Sequence, residues 1–268
     1  MPFVYALLTS KEGIQYAAVL RSVVSAAKEF GIRNFKPRRL MTDFEKGIIN
    51  ACSDVFPDAT INGCFFHMSQ SVYRKIQNTG LQDLYNSIDR EAKIFTHMLN
   101  ALAFLPVDEV PKVFVLLKEE APKDLDVIVT YFEEYYVVGR PARGRGRGRI
   151  RAVPPRYPPS FWNVYIATLN DQHRTNNVSE GWHNRFHLLM GKNHPDLYSA
   201  LKEFQKEQGN TEISLIELGL GRVLKAAPNR KWIDNQNRLR NIVERYGTYQ
   251  NKLDYLRAIA HTLSLIHI

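Results

Sequence analysis

Glu180, His183, Asn184 and His187 recur at threes and fours within RTNNVSEGWHNRFH (174–187). An α-helix turns by about 100° per residue, so these four share one stripe while Trp182, Phe186 and Leu189 gather on another. The apolar stripe can face a core. The polar stripe must face water, a ligand or a metal. A second acid of interest is Asp43, where the strand-like RRLMTDF (38–44) meets the helical EKGIINACSDVF (45–56). Ligands of open α/β sheets collect beyond the carboxyl ends of the strands, so an Asp at such a junction is well placed to hold a metal.

Each residue has a plainer role beside the chemical one. Asp43 can cap the helix that begins near Glu45. Asn177-Val-Ser-Glu180 fits a capping box, although a cap needs none of His183, Asn184 and His187. Cys64-x2-His67 and His183-x3-His187 have the ligand types and short spacings of a zinc site, but the gap between the pairs far exceeds that of a zinc finger. The alternative there is a buried Cys beside a His that hydrogen-bonds at a strand end. Arg143, Arg145, Arg147, Arg149 and Arg151 alternate with glycine and could grip nucleic-acid phosphates with strong salt dependence, or form a solvated linker.

Further chemistries are disfavoured. No G-x-S-x-G, no phosphate-loop motif and no dinucleotide-binding glycine motif occurs in strand–helix context. Cys52 and Cys64 are the only cysteines, which points to a reduced, intracellular compartment. No apolar run is long enough for a bilayer, so no membrane partner is expected. The formal net charge is +9, but seven arginines between 140 and 156 supply most of it.

The elements that must position these residues follow from periodicity. FVYALLT (3–9) reads as a buried strand, residues 13–30 as an amphipathic helix, and 38–44 as a strand ending at Asp43. Residues 45–56 read as a helix, TINGCFF (60–66) as a strand, and 67–80 as a helix closed by Gly80. This alternation implies a parallel α/β sheet. Residues 82–136 read as helical with a break near Pro106–Pro111. GRPARGRGRGRIRAVPPRYPP (139–159) reads as a flexible loop unable to bury a core, and helical pattern resumes at FWNVYIATL (161–169).

Taken together, LMTDFEKGIINACSDVFPDATINGCFFHMSQSVYRKIQNTGL (40–81), RTNNVSEGWHNRFH, HPDLYSALKEFQKEQ (194–208) and LRAIAHTL (256–263) closely resemble the transposase domain of Mutator-like elements. The resemblance implies an RNase H-like fold, a mixed sheet flanked by helices, with a large all-α insertion and a helical C-terminal part. It divides the chain into the N-terminal part of that core (1–81), the insertion with its Arg/Gly-rich segment (82–160), a helical return to the core carrying an acid (161–190) and a C-terminal helical region (191–268). It further implies an Asp-Asp-Glu triad in which Asp43 is the second acid and Glu180 the third. These carboxylates would hold two Mg²⁺ or Mn²⁺ ions about 4 Å apart for strand cleavage and transfer. Cys64 and His67 match the family's Cys-x-x-His motif, and His183, Asn184 and His187 would line the DNA site. DNA is then the expected partner, a homo-oligomer the expected assembly and the nucleus the expected location, with no small-molecule cofactor.

One departure matters. The family's first acid lies on a strand ahead of the segment resembling PFVYALLTS, and here no Asp or Glu precedes Glu12. Two carboxylates without the third would hold Mg²⁺ weakly, so this chain alone is expected not to cut DNA, as a fragment or a decayed copy. The alternative is a transposon-derived protein that has lost catalysis and retains nucleic-acid binding.

Overall fold

Short β-forming runs alternate with amphipathic ones in the first third of the chain, and the computed structural model turns most of the rest into helix. It describes residues 4–141, 152–175, 177–191, 196–222 and 230–265, without the side chains of 141, 177–180 and 183. In chain order the elements are α1 (Gly13–Glu29), β1 (Arg39–Thr42), α2 (Lys46–Val55), β2 (Thr60–Gly63) and α3 (Phe65–Asn78). Next come α4 (Gln82–Tyr85), α5 (Glu91–Ala101), α6 (Val110–Glu119), α7 (Asp126–Phe132) and a π-helical turn (Glu133–Val137). The strands β3 (Arg140–Pro141) and β4 (Ala152–Val153) pair antiparallel. Helices α8 (Pro159–Trp162), α9 (Tyr165–Leu169), α10 (Asn177–Met190), α11 (Leu197–Gly219), α12 (Arg230–Glu244) and α13 (Lys252–Leu265) complete the chain.

These elements sort into two compact units. The first comprises Met1–Pro37, Lys46–Pro57 and Asn176–Asn229. Within it α1 and α2 approach closely because Gly47 has no side chain: a Cβ there would lie 2.7 Å from the Lys11 carbonyl oxygen and 3.2 Å from the Tyr16 ring. The Arg21 guanidinium pairs with Asp54 across the two helices. Helices α10 and α11 pack through aromatic rings, Trp182 on Phe186 (4.8 Å between centroids) and Phe186 on Phe204 (4.9 Å).

The structure corrects the buried strand expected at FVYALLT (3–9). Residues 4–8 have no regular structure, and Val4 and Leu7 are 53% and 54% exposed. A β-strand needs a partner for its backbone donors and acceptors. Here the Tyr5 ring instead lies against Trp182 and Phe204, at 5.5 and 5.1 Å.

The second unit comprises Arg38–Glu45, Asp58–Thr175 and Arg230–Ile268. Its sheet is β1 and β2 in parallel, with Arg39 opposite Thr60 and Thr42 opposite Gly63. The parallel arrangement is as expected, while the wider mixed sheet of an RNase H-like core is not seen among the described residues. Strand β2 is shorter than TINGCFF suggests: helix α3 already begins at Phe65, whose ring turns inward onto Phe104 at 5.1 Å. The core of this unit is aromatic and aliphatic, with Trp162, Phe132, Leu99, Leu117, Tyr255 and Leu256 almost wholly buried.

The segment 139–159 is also corrected in part. Gly139 and Tyr157 are buried, so the stems of this Gly/Arg/Pro stretch join the core. Gly139 has φ +88°, and a Cβ there would lie 2.0 Å from the Val153 carbonyl oxygen, so only glycine fits. Within 161–169 the helix breaks at Asn163, whose amide donates to the Leu105 carbonyl at 2.7 Å and accepts from the Tyr165 N–H at 3.0 Å.

Candidate active site

Asp43 follows the last residue of β1, and Cys64 follows the last residue of β2. Parallel pairing therefore puts both at the carboxyl end of the sheet. The ladder continues one step beyond the strands: the Cys64 N–H donates to the Thr42 carbonyl at 2.9 Å. The chain then turns into α3, which carries His67 on its first turn. His67 Nδ1 comes to 3.0 Å from Asp43 Oδ1. Asp43 and the Cys64-x2-His67 pair, read separately from the sequence, are thus brought together by one sheet end and one helix start.

Their environments differ. The Cys64 side belongs to the core, with the residue 0% exposed. The Asp43 side chain is 54% exposed and that of His67 23%. The His67 imidazole is pushed up to about 10, first by its hydrogen bond to Asp43, then by one to Cys64, against the opposing effect of burial. The ring therefore favours its protonated form beside the carboxylate. That pair orients the Asp43 oxygens while leaving part of the carboxylate open to solvent.

A set of rings lies beneath the loop that carries Asp43. Phe44 meets Tyr157, Phe161 and Tyr136 edge to face, at 4.8, 5.3 and 6.0 Å. The Tyr157 hydroxyl donates to the Phe44 carbonyl. Trp162 Nε1 donates to the carbonyls of Tyr136 and Tyr157, at 3.1 and 3.0 Å, which locks the segment that supplies Tyr157. Gly63 makes room for these rings: a Cβ would stand 2.5 Å from Phe161 Cε1 and 2.8 Å from Phe44 Cζ. Burial pushes the hydroxyls of Tyr136 and Tyr157 above the ordinary tyrosine range, so both are neutral packing groups.

A third motif reaches the same place. The Phe65 N–H donates to the carbonyl of Arg174, the first residue of RTNNVSEGWH, at 3.1 Å. The Arg174 guanidinium bonds to Thr168 Oγ1 at 3.2 Å and to Gln236, and lies over the Phe104 ring at 5.9 Å. Its burial lowers its pKa, yet a guanidinium stays charged at neutral pH. Arg39 adds a further clasp, from Nε to Asn62 at 3.0 Å and from a terminal nitrogen to Gln172 at 2.7 Å. The segments T-D-F-E, G-C-F-F-H and R-T therefore converge on one sheet end.

The remaining expected residues fall elsewhere or outside the described set. Glu180 and His183 lie on α10, whose side chains at those positions are outside the described residues. Helix α10 begins at Asn177, one residue ahead of the start that a capping box led by Asn177 would give. Asn184 and His187 are exposed. Trp182 and Phe186 are packed, as their stripe suggests, whereas Leu189 is 50% exposed. Arg143, Arg145, Arg147, Arg149 and Arg151 lie outside the described residues.

Sequence reasoning passed over Glu207, which the structure marks clearly. Its side chain is 3% exposed, accepts from Trp182 Nε1 at 2.7 Å and pairs with Arg185. Burial alone would raise its pKa; bonds from Trp182, Arg185 and Asn210 outweigh this and hold the carboxyl below its ordinary value. The sequence placed this residue only within a C-terminal helical region (191–268), and a lone Glu in a charged helix carries no signal of burial. Gly63, by contrast, sits inside G-C-F-F-H, where a glycine before a buried Cys could have prompted the question of close approach.

Comparison with known proteins adds one finding. Residues 1–71 match the family described as the MULE transposase domain. No curated protein and no solved structure gives a significant match. The matched stretch includes Asp43, Cys64 and His67, and it supports a transposase-family function.

Proposed function

We propose that this chain carries the second and third acids of a Mutator-like DNA transposase site, Asp43 and Glu180, and acts on DNA. The observation that carries this reading is the convergence of T-D-F-E, G-C-F-F-H and R-T on the carboxyl end of β1 and β2, through the Cys64–Thr42 and Phe65–Arg174 backbone bonds. The match of residues 1–71 to the MULE transposase domain supports it independently.

Asp43 fits a hard divalent cation. It is an oxygen donor, more than half exposed, on a rigid strand end backed by packed rings. Mg²⁺ or Mn²⁺ held by Asp43 and Glu180 would supply Lewis-acid activation for phosphoryl transfer. The chain's own residues do the preparation. His67 orients the Asp43 carboxylate from one side, as outer-sphere partners of metal ligands commonly do. Phe44, Tyr157 and Phe161 hold the loop against tilting. Cys64, wholly buried, packs beneath this pair.

Seven arginines between 140 and 156 with no acid among them favour the second reading, a nucleic-acid-binding protein without catalysis. Mn²⁺ binding followed by electron paramagnetic resonance separates the two. On the transposase reading, Asp43→Asn and Glu180→Gln each weaken binding markedly, and His67→Asn changes it by about 10-fold. Identical Mn²⁺ isotherms for wild type, Asp43→Asn and Glu180→Gln would favour the binding protein and sink the metal site.

A further inference from the structure

We infer that the outward face of α12 is a duplex-DNA contact surface whose asparagine and arginine side chains read bases in the major groove. The helix is strongly two-faced. Leu239 and Val243 are 1% and 0% exposed and pack against the rest of their unit. That fixes the rotation of the helix, because residues about half a turn away must point outward. Those residues are Arg230, Asp234, Asn237, Arg238, Asn241 and Arg245, and all six are exposed.

The chemistry of this face is specific. Asp234, Asn237, Arg238, Asn241, Ile242, Arg245 and Tyr249 line a groove of about 340 Å³. The Arg238 and Arg245 guanidiniums make no ion pair with a described residue, and the side-chain amides of Asn237 and Asn241 have no described hydrogen-bond partner. The neighbouring Arg240 is different, being paired with Glu244 at 2.9 Å. Asparagine can bond adenine through two atoms, arginine guanine in the same way, and aspartate can accept from cytosine. Asn237 and Asn241 stand one turn apart, and Arg238 and Arg245 two turns apart. A helix of 15 residues is about 22 Å long, enough to run along a major groove about 12 Å wide.

Other occupants fit less well. A protein partner is anchored by buried aromatic or aliphatic side chains, and this groove sets only Ile242 and Tyr249 among five polar or charged residues. Single-stranded nucleic acid wants a series of exposed rings, and Tyr249 already packs on Tyr255 at 5.3 Å. The major groove of duplex RNA is too narrow for a helix.

Although DNA is also the ligand of the transposase reading, α12 requires nothing of Asp43 or Glu180. The test is therefore run in EDTA, where the metal site plays no part and the two proposals fail separately. The full chain, wild type or with Arg238→Gln/Arg245→Gln or Asn237→Ala/Asn241→Ala, is titrated by fluorescence anisotropy against a randomised duplex pool over a range of salt. Bound duplexes are then recovered and sequenced. All four positions are exposed, so far-ultraviolet circular dichroism should be unchanged in both variants.

The double arginine variant is expected to lose roughly 5- to 150-fold of discrimination at each guanine it reads, with a lower salt slope from the two cationic charges removed. The double asparagine variant is expected to keep the slope and lose roughly 5- to 150-fold of discrimination at each adenine it reads. Three results would overturn the inference: unchanged isotherms in both variants, a slope change without any sequence enrichment by the wild type, or tighter binding to single-stranded RNA than to the duplex.

Discussion

Replacing Gly63 by alanine sets two effects of opposite sign against each other. Gly63 closes a β-strand and has no positive φ, so removing glycine's freedom in the unfolded chain should stabilise by about 0.4–1 kcal/mol. The added methyl group would nevertheless stand 2.5 Å from Phe161 Cε1 and 2.8 and 2.9 Å from two Phe44 carbons. Reaching an ordinary contact of about 3.4 Å requires the rings to retreat by roughly 0.9 Å. They cannot do so freely, since Phe44 is wedged against Tyr157 and Tyr136 and its carbonyl is held by the Tyr157 hydroxyl. Overpacking of this kind costs about 1–3 kcal/mol. The steric effect should win, with a net loss of roughly 1–2 kcal/mol. Urea denaturation followed by far-ultraviolet circular dichroism measures it, and at about 2–4 °C per kcal/mol the melting temperature should fall by several degrees. Phe161→Leu in the same chain should recover part of the loss by vacating the space. A Gly63→Ala protein as stable as wild type would show that these rings do not hold the Asp43 loop as described.

Two further outcomes are expected. The imidazole of His97 is lowered from 6.5 to about 4, first by burial and then by Lys93. The unfolded chain therefore takes up this proton more readily than the folded one. Stability should rise as pH climbs from about 4 to 6.5 and be level above, by up to about 3 kcal/mol from this group. His97→Phe should flatten that part of a plot of melting temperature against pH, and an unaltered profile would refute the assignment. Glu207→Ala removes the acceptor of the Trp182 indole N–H and the partner of the half-exposed Arg185, for a cost of about 1–3 kcal/mol. Glu207→Gln keeps an acceptor for the indole and should cost about half as much; equal effects of the two variants would argue against the hydrogen bond to Trp182.

The helices were legible because period and punctuation agree. The apolar spacing at 13–30 and 45–56 returns as α1 and α2, and Gly80, with φ +74°, lies just past the end of α3 where the closing glycine was expected. Asp43 at a strand end was legible for the same reason, since β-branched and aliphatic residues give way there to a turn. What pairs with what was not. The run at 3–9 has the composition of a strand, but composition cannot supply a neighbouring strand, and Tyr5 packs on Trp182 and Phe204 instead. Tyr157 lies in a stretch whose arginines and glycines say solvent, yet its ring is buried because Phe44 and Tyr136 stand beside it. Glu207 looks like any surface acid until Trp182 and Arg185 close over it. Sequence alone determined the local elements and the chemical types at the sheet end, because backbone periodicity and side-chain identity act over a few residues. The tertiary structure decided that His67 faces Asp43, that Arg174 meets Phe65 and that the Asn/Arg stripe of α12 looks outward, because partners far apart in the chain become neighbours only through packing.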